Sequence, residues 1–263
     1  MTVPDVQQSS ESLREKQQEM ENEINDVAAT NNLSSNSVWP ITDGVCDFDA
    51  YLKSFPKIMW ILKEPYDDFT DENPSGGGWS IPMNCFPKDD AWKCKSWQTI
   101  IYVMYGFLHN LTWNEMEYIS DDTSMADVLK QMVYLNVNKM PGYQRSNVNE
   151  LYKAYTIWKD ILRKQRVLYA PDVIIFGNTF EYFKDEFAGT DIEEIQSYNG
   201  LVAVYKKGKT FLLDAYHPCR KGRDYVNSLI TALGDIKKEM IKTVSTPSPS
   251  PPVSYPAQYR GIC

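Results

Sequence analysis

The chain has 263 residues, of which 43% are hydrophobic, so it can bury the core of one domain near the upper size limit for a single unit. Its formal net charge of −8 would repel phosphate at long range and argues against strong non-specific binding of nucleic acid by the chain as a whole. Five widely spaced cysteines and only two histidines indicate neither a disulfide framework nor a zinc site.

Both ends of the chain are polar. Residues 1–36 form a polar N-terminal arm, in which Ser10–Asp26 is predicted to be a solvated helix with almost no apolar face. Residues 244–263 are rich in proline and serine, which predicts a disordered tail. No apolar stretch approaches the roughly 18 residues of a membrane span, and the N-terminus lacks a signal-peptide pattern. We therefore expect a cytoplasmic protein with no membrane partner and one domain over residues 37–243.

Four apolar, β-rich runs lie between the tails. They are Lys57–Leu62, Val133–Val137, Asp172–Phe176 and Thr210–Leu213, and a hairpin from Leu201–Tyr205 leads into the last. The segments with helical spacing are Ser96–Asn110, Val148–Leu168, Asn178–Phe187 and Asp224–Lys242. Continuous apolar strands are typical of parallel sheets that are covered on both faces. The alternation predicts an α/β fold, a three-layer α/β/α sandwich with a central four-stranded parallel sheet.

Polar, turn-forming segments follow all four predicted strands. Ligands of open parallel sheets bind beyond the carboxyl ends of the strands, so these segments are where a site is expected. Three of them carry short motifs, which are Leu62-Lys63-Glu64-Pro65-Tyr66, Asn136-Val137-Asn138-Lys139-Met140-Pro141 and His217-Pro218-Cys219. A glycine run, Gly76–Gly78, follows the first motif and is placed for a backbone that approaches a ligand closely.

This set of motifs resembles the uracil-DNA glycosylase superfamily. Its members carry G-[QE]-[DAN]-P-[YG] after the first strand and H-P-S after the last, and the middle motif is similar to the N-V-V-K-C-x-P run of the iron-sulfur branch. The resemblance spans nearly the whole core. It implies a uracil-DNA glycosylase-like fold, a monomer, DNA as the partner and no cofactor. The implied activity is hydrolysis of the N-glycosidic bond of uracil or a related damaged base.

The chemistry of that reaction accounts for the residue types. Cleavage develops positive charge on the sugar and negative charge on the base, so a carboxylate and an anion-stabilising donor are both needed. By analogy, Glu64 would position water or stabilise the sugar cation, and His217 would donate a hydrogen bond to the departing base. Asn136 would read the edge of a flipped base, and Tyr66 would wall the pocket against bulkier bases. Apart from the analogy, Trp79, Trp92 and Trp97 are aromatic residues that could stack on bases.

A local basic rim would supply the contacts to the DNA backbone. The charged residues in this part of the chain are Lys206, Lys207, Lys209, Asp214, Arg220, Lys221, Arg223 and Asp224. By analogy, Arg220 and Lys221, which follow His217, would hold backbone phosphates or enter the duplex. Ser80 is also predicted to contact the DNA backbone. The rim is expected to line one groove with the pocket if the substrate is a nucleic acid, and to scatter or pair with Asp214 and Asp224 if it is not.

The motifs also depart from the family pattern. Lys63 replaces the usual Gln or Glu, and Glu64 is one methylene longer than the usual Asp or Asn, which would shift its carboxylate by about 1.5 Å. Asp67 stands where the best-known branch has His, and Cys219 replaces Ser. Cys85 and Cys94 do not match the spacing of the four cluster ligands in the iron-sulfur branch.

Structural interpretations of the same residues remain open. His217 could be a turn or a cap, Glu64 could sit in an ordinary strand-exit turn, and Asn136 and Asn138 could bond local backbone. Trp79 could be core or lid packing. A rival function is a non-catalytic member of the superfamily that binds a nucleotide, single-stranded nucleic acid or a protein partner. An unrelated α/β hydrolase is disfavoured because the chain has no G-x-S-x-G elbow.

Overall fold

The structure is a computed structural model that describes residues 9–70, 73–143, 145–187 and 192–245. The tail that is predicted to be disordered lies outside the described residues from position 246 onward, and residues 244–245 belong to the last helix. None of the helices in the described ranges combines the length and the apolar character that a bilayer span requires.

The described ranges contain nine strands and seven α-helices. The strands are β1 (Gly44–Val45), β2 (Ile58–Leu62), β3 (Asp68–Thr70), β4 (Asn73–Ser75), β5 (Val133–Asn136), β6 (Val173–Gly177), β7 (Glu193–Tyr198), β8 (Val202–Lys207) and β9 (Thr210–Ala215). The helices are α1 (Ser10–Thr30), α2 (Phe48–Lys53), α3 (Ile81–Asn84), α4 (Lys95–His109), α5 (Val148–Tyr169), α6 (Phe180–Phe187) and α7 (Arg223–Ser245). Three 3₁₀ segments are Ala91–Lys93, Trp113–Glu115 and Thr123–Gln131.

Seven of the described strands form one mixed sheet in the order β1-β5-β2-β6-β9-β8-β7. The four consecutive strands β5, β2, β6 and β9 are parallel, and β1, β8 and β7 run antiparallel to their neighbours. The prediction of an α/β fold is therefore confirmed, and the four predicted strands are the parallel ones. The sheet has more strands than predicted because β1 is only two residues long and β7 is a largely exposed edge strand with a polar sequence.

Helices cover both faces of the sheet. In β2, Trp60 points into a cluster with side chains of α4 and α7, whereas Met59 and Ile61 point into a second cluster with side chains of α1, α5 and α6. All five residues of β2 are buried. The strand is a continuous apolar run because each of its faces meets a hydrophobic layer.

Helix α1 belongs to the core. Its buried side chains recur every three or four residues, and they are Leu13, Gln17, Met20, Ile24 and Ala28. The helix packs against α5 and α2. The prediction of a solvated arm is therefore wrong for the described part of residues 1–36. A narrow buried stripe leaves the average composition of a helix polar, so the composition concealed the packing.

Local sequence determines where α5 begins and ends and where β6 can start. The side chain of Asn147 accepts a hydrogen bond from the backbone N–H of Asn149 at 2.9 Å, which satisfies an amide of the first turn. At the other end Ala170 is left-handed, with φ of 43°, and Pro171 follows it. Since proline cannot continue a helix, the chain turns there and enters β6.

Candidate active site

Three of the predicted site residues lie at the same edge of the sheet. Asn136 is the last residue of β5 and pairs with Leu62, the last residue of β2. Glu64 lies two residues after Leu62. His217 lies two residues after β9, which β6 separates from β2. At about 4.8 Å between neighbouring strands, the ends of β2 and β9 are roughly 10 Å apart.

Close packing at the end of β6 brings these strand ends together. A Cβ added to Gly177 would overlap the side chain of Leu62 and would lie 3.1 Å from Cδ of Pro218. The missing side chain therefore lets the loop that carries His217 approach the end of β2. The loops after β2, β5 and β9 therefore lie side by side at this edge of the sheet.

Glu64 is half-buried against the loop after β5. Gly142 lies so close to the Glu64 carboxyl group that an added Cβ would overlap it. Burial raises the pKa of Glu64, and hydrogen bonds from the side chains of Ser146 and Asn138 partly oppose that increase. The Oε1 atom is buried and has no hydrogen-bond partner among the described residues. The Glu64 side chain is thus held by Ser146 and Asn138, whereas its Oε1 is buried and unsatisfied by the described residues.

Asn138 orients Glu64. Its Oδ1 accepts hydrogen bonds from the backbone N–H of Met140 at 3.1 Å and from Nε1 of Trp158 at 3.2 Å. The amide oxygen is therefore occupied and the amino group is directed to Glu64, whose pKa it helps to lower. The interpretation of Asn138 as a residue that bonds local backbone is confirmed, and the same side chain also supports the carboxylate.

Asn136 differs from Asn138 because its side chain is unpaired. The residue is 0% exposed, and neither Oδ1 nor Nδ2 has a hydrogen-bond partner in the described part of the chain. Leaving a buried polar group unsatisfied costs about 1–3 kcal/mol, so such groups are rare without a reason. A donor and an acceptor side by side are what the edge of a nucleobase would satisfy.

An ion pair that sequence reasoning missed supports the end of β5. Lys139 and Asp43 are both fully buried, and Nζ of Lys139 lies 2.8 and 2.7 Å from the two carboxylate oxygens. Gln165 joins the pair, because its Oε1 accepts a hydrogen bond from Lys139 and its Nε2 donates one to Oδ1 of Asp43. Oδ2 of Asp43 also accepts a hydrogen bond from the backbone N–H of Asn136 at 2.7 Å. Burial lowers the pKa of Lys139, and the charge of Asp43 opposes that decrease. Lys139 next to an apolar strand was the only sequence signal.

His217 is a neutral hydrogen-bond donor at pH 7. Burial, with smaller contributions from the charges of Lys63 and Lys221, lowers its pKa to about 4. Its Nδ1 accepts the backbone N–H of Cys219 at 3.3 Å. The proton of the neutral ring therefore resides on Nε2. The turn interpretation and the donor role of His217 are compatible, because the turn uses only Nδ1.

Tyr66 and Trp79 have different environments. The Tyr66 ring is 50% exposed and lies 5.6 Å from the ring of Phe69. Trp79 packs against the core, and its Nε1 donates to Oδ2 of Asp67 at 2.9 Å. The structure therefore favours the packing interpretation of Trp79, whereas Tyr66 remains exposed beside Glu64.

The glycine run is engaged by the protein. The amides of Gly76, Gly77 and Gly78 donate to the Ser37 carbonyl, the Asp67 carboxylate and the Pro40 carbonyl at 2.7–2.9 Å. All three N–H groups are thus bonded to other parts of the chain. The prediction that this backbone approaches a ligand is wrong, because the run packs on the segment around Pro40.

The residues assigned to the DNA backbone do not form one continuous rim. Ser80 is buried, and its hydroxyl donates to Glu21 of α1 at 3.4 Å, so it is not presented to a phosphate. Arg220 is exposed, and the ammonium of Lys221 lies 4.9 Å from the Tyr216 ring. Arg223 forms an ion pair with Asp224 at 3.4 Å. Of the three residues assigned to the DNA backbone, Arg220 is therefore exposed and Lys221 is partly exposed, and both follow the His217 motif directly.

Comparison with known proteins identifies no family for this chain. No protein-family model matches the sequence, and a search of curated proteins finds no match either. In the described ranges, no group of three or more His, Cys, Asp or Glu side chains is placed to hold a metal ion. The resemblance to the uracil-DNA glycosylase superfamily therefore continues to rest on the three short motifs.

Proposed function

We propose that the protein is a DNA-base glycosylase that hydrolyses the N-glycosidic bond of uracil or a related damaged base, with a three-layer fold similar to the uracil-DNA glycosylase superfamily. The unpaired, fully buried amide of Asn136 carries the proposal. It lies at the strand end next to the one that leads to Glu64. A recognition amide beside a carboxylate is the arrangement that base excision needs.

Glu64 and His217 divide the charge that develops in the reaction. The Glu64 carboxylate stabilises the sugar cation or orients the attacking water. The bond between the sugar C1′ and the base nitrogen breaks, its electron pair stays with the base, and the base anion is stabilised by a hydrogen bond from Nε2–H of the neutral His217 ring. Water then bonds to C1′, and the proton that it releases neutralises the base anion. Removing one such donor from an enzyme typically lowers kcat by about 10²–10³-fold.

The low pKa of His217 suits this role. An imidazolium would repel the positive charge that develops on the sugar, whereas a neutral ring contributes a donor without net charge. Because the pKa of His217 is lowered to about 4, the ring stays neutral over the physiological range. Lys63, which departs from the family motif, contributes to that decrease and so supports the neutral form.

The test is single-turnover cleavage of oligonucleotides that carry uracil, hypoxanthine, xanthine or 5-hydroxymethyluracil. We expect an abasic product from at least one of them, and a loss of about 10²-fold or more in His217→Ala and Glu64→Ala. The matched controls are His109→Ala and Glu181→Ala, which alter an exposed histidine of α4 and an exposed glutamate of α6. Equal cleavage by the site variants and the parent would contradict these two roles.

The second candidate is a non-catalytic member that binds a nucleotide, single-stranded nucleic acid or a protein partner. Two observations favour it: Arg223 pairs with Asp224, and Ser80 is buried, so fewer groups remain for the DNA backbone. A folded protein that yields no product with any of the four bases would favour this candidate. A screen of nucleotides and single-stranded oligonucleotides for binding would then identify the ligand.

A further inference from the structure

Three aromatic rings form a surface that we name the aromatic ledge, and they are Tyr66, Phe69 and Tyr143. The ring centroids of Tyr66 and Phe69 are 5.6 Å apart, and those of Phe69 and Tyr143 are 6.0 Å apart. Tyr66 and Tyr143 are each 50% exposed. Neither of the two hydrophobic clusters of described residues includes any of the three rings, so the ledge is not part of the core.

The ledge adjoins the carboxylate of Glu64. Tyr66 lies two residues after Glu64, and Tyr143 directly follows Gly142, which packs on the Glu64 carboxyl group. The backbone N–H of Gly142 donates to the carbonyl of Pro65 at 2.8 Å. This hydrogen bond ties the loop after β2 to the loop after β5, so the ledge lies beside the segment that carries Glu64.

An open cleft continues from the ledge. Its volume is about 660 Å³, and it is lined by Phe69, Tyr143, Arg145, Asn147 and Glu150. The Glu150 carboxylate is bonded to Lys153 at 2.8 Å, which offsets its charge, and Asn147 caps α5. A cleft of this size accommodates a nucleotide, with the rings of Phe69 and Tyr143 for a base and the Arg145 guanidinium for a phosphate.

We propose that the aromatic ledge stacks an unpaired base next to the target base, so that the substrate is single-stranded DNA. This inference rests on the proposed function, since it takes Glu64 as the position of the target sugar. A duplex holds its flanking bases in the helical stack, and placing one on the ledge would cost unstacking energy. A single strand offers the same base face without that cost, and stacking on aromatic side chains tolerates any base.

The test is binding of labelled uracil-containing DNA to the full chain that carries Glu64→Gln, measured by fluorescence anisotropy at one salt concentration. The probe is a short single strand, and the comparison is the matched duplex. We expect the single strand to bind at least about fivefold tighter than the duplex, since one base–aromatic stack corresponds to a factor of about five or more. Equal affinities, or no binding of the single strand, would overturn the inference.

Single substitutions of ledge residues test whether these rings are responsible for the binding of the single strand. Tyr143→Leu removes the ring face and is expected to weaken single-strand binding by at least about fivefold, whereas Tyr143→Phe keeps the face and should stay within about twofold. Phe69→Leu is expected to behave like Tyr143→Leu. The matched control is Tyr118→Leu, because Tyr118 is 70% exposed and lies outside the ledge. Unchanged binding by Tyr143→Leu and Phe69→Leu would overturn the inference.

Failure of the ledge and failure of the glycosylase proposal give different results. Cleavage by the parent chain together with unchanged single-strand affinity in Tyr143→Leu would refute the ledge alone. Loss of single-strand affinity in Tyr143→Leu, without cleavage of any base by the parent, would support the ledge and refute the glycosylase activity. The binding assay uses a variant that lacks the Glu64 carboxylate, so it does not depend on turnover.

Discussion

Two buried polar side chains lie three residues apart at the end of β5, and their pairing differs. Lys139 bonds both oxygens of Asp43 and the amide oxygen of Gln165. Asn136 is equally buried, yet neither polar atom of its side chain is bonded by a described residue. Burial is therefore the same at the two positions and only the pairing differs. A paired buried group stabilises the fold, and an unpaired one requires an explanation, which the proposed ligand would supply at Asn136.

The largest expected effect is a loss of stability when the buried Lys139 ammonium loses its partner. Asp43→Ala leaves the Lys139 ammonium buried without its partner and should lower the free energy of unfolding by about 3–5 kcal/mol. Urea denaturation measures it. The matched control is Lys153→Ala, which breaks an exposed ion pair with Glu150 and should cost no more than about 1 kcal/mol. Similar small losses in both variants would mean that the buried pair is not structural.

Substitution of the unpaired Asn136 should preserve stability and lower activity. Asn136→Leu keeps the number and branching of the side-chain heavy atoms and removes an unsatisfied amide, so the free energy of unfolding should stay within about 1 kcal/mol of the parent or rise. Base cleavage should nevertheless fall by about 10²-fold or more, because the recognition donor and acceptor are gone. Urea denaturation and single-turnover cleavage measure the two effects. A large loss of stability would show that Asn136 is paired in solution.

The buried imidazole of His217 should make stability depend on pH. Its folded pKa of about 4 lies below the unfolded value of 6.5, so between these values the unfolded chain binds more protons. Stability from this group is therefore present above pH 6.5 and is lost as the pH falls towards 4. Between pH 7 and pH 5 we expect a loss of about 1–2 kcal/mol.

The effect is measured as the difference in unfolding free energy between the parent and His217→Gln at each pH. Other titrating groups, including Glu64, largely cancel in that difference. A parent and a variant whose stabilities change in parallel between pH 7 and pH 5 would show that the His217 ring is not desolvated.

The smallest expected effect concerns Lys63. Its charge is a secondary cause of the low pKa of His217, after burial, so Lys63→Gln should raise that pKa without returning it to 6.5. NMR titration of the imidazole protons measures the change, and Lys53→Gln, in α2, is the control. A pKa that does not move would indicate that burial alone keeps the ring neutral.

Much of the fold was predictable from local patterns. The four parallel strands and the helices α4, α5, α6 and α7 lie within a few residues of their predicted positions, because continuous apolar runs and helical periodicity report burial directly. The edge strand β7 was missed because its sequence is polar and its side chains are largely exposed. The packing of α1 was missed because its buried stripe is narrow and includes Gln17.

The candidate site was predictable only in part. Motif order predicted that Glu64, Asn136 and His217 lie at the same edge of the sheet, and the parallel strands place them there. The roles expected for Ser80 and the glycine run depended on their positions shortly after the first motif. Both failed because their hydrogen bonds go to Glu21, Ser37 and Pro40, which lie outside the motifs.

By itself, the sequence determined the strand and helix order and the polar strand ends, because these follow from the spacing of apolar residues over a few turns. The tertiary structure alone decided which of the buried polar groups are paired. The Asp43 carboxylate accepts a hydrogen bond from the backbone N–H of Asn136, which is 93 residues away in sequence, and another from Lys139, which is 96 residues away. Gln165, which also bonds Lys139, lies 26 residues after it. Hydrogen-bond satisfaction depends on partners that folding brings from distant segments, and no local pattern records that information.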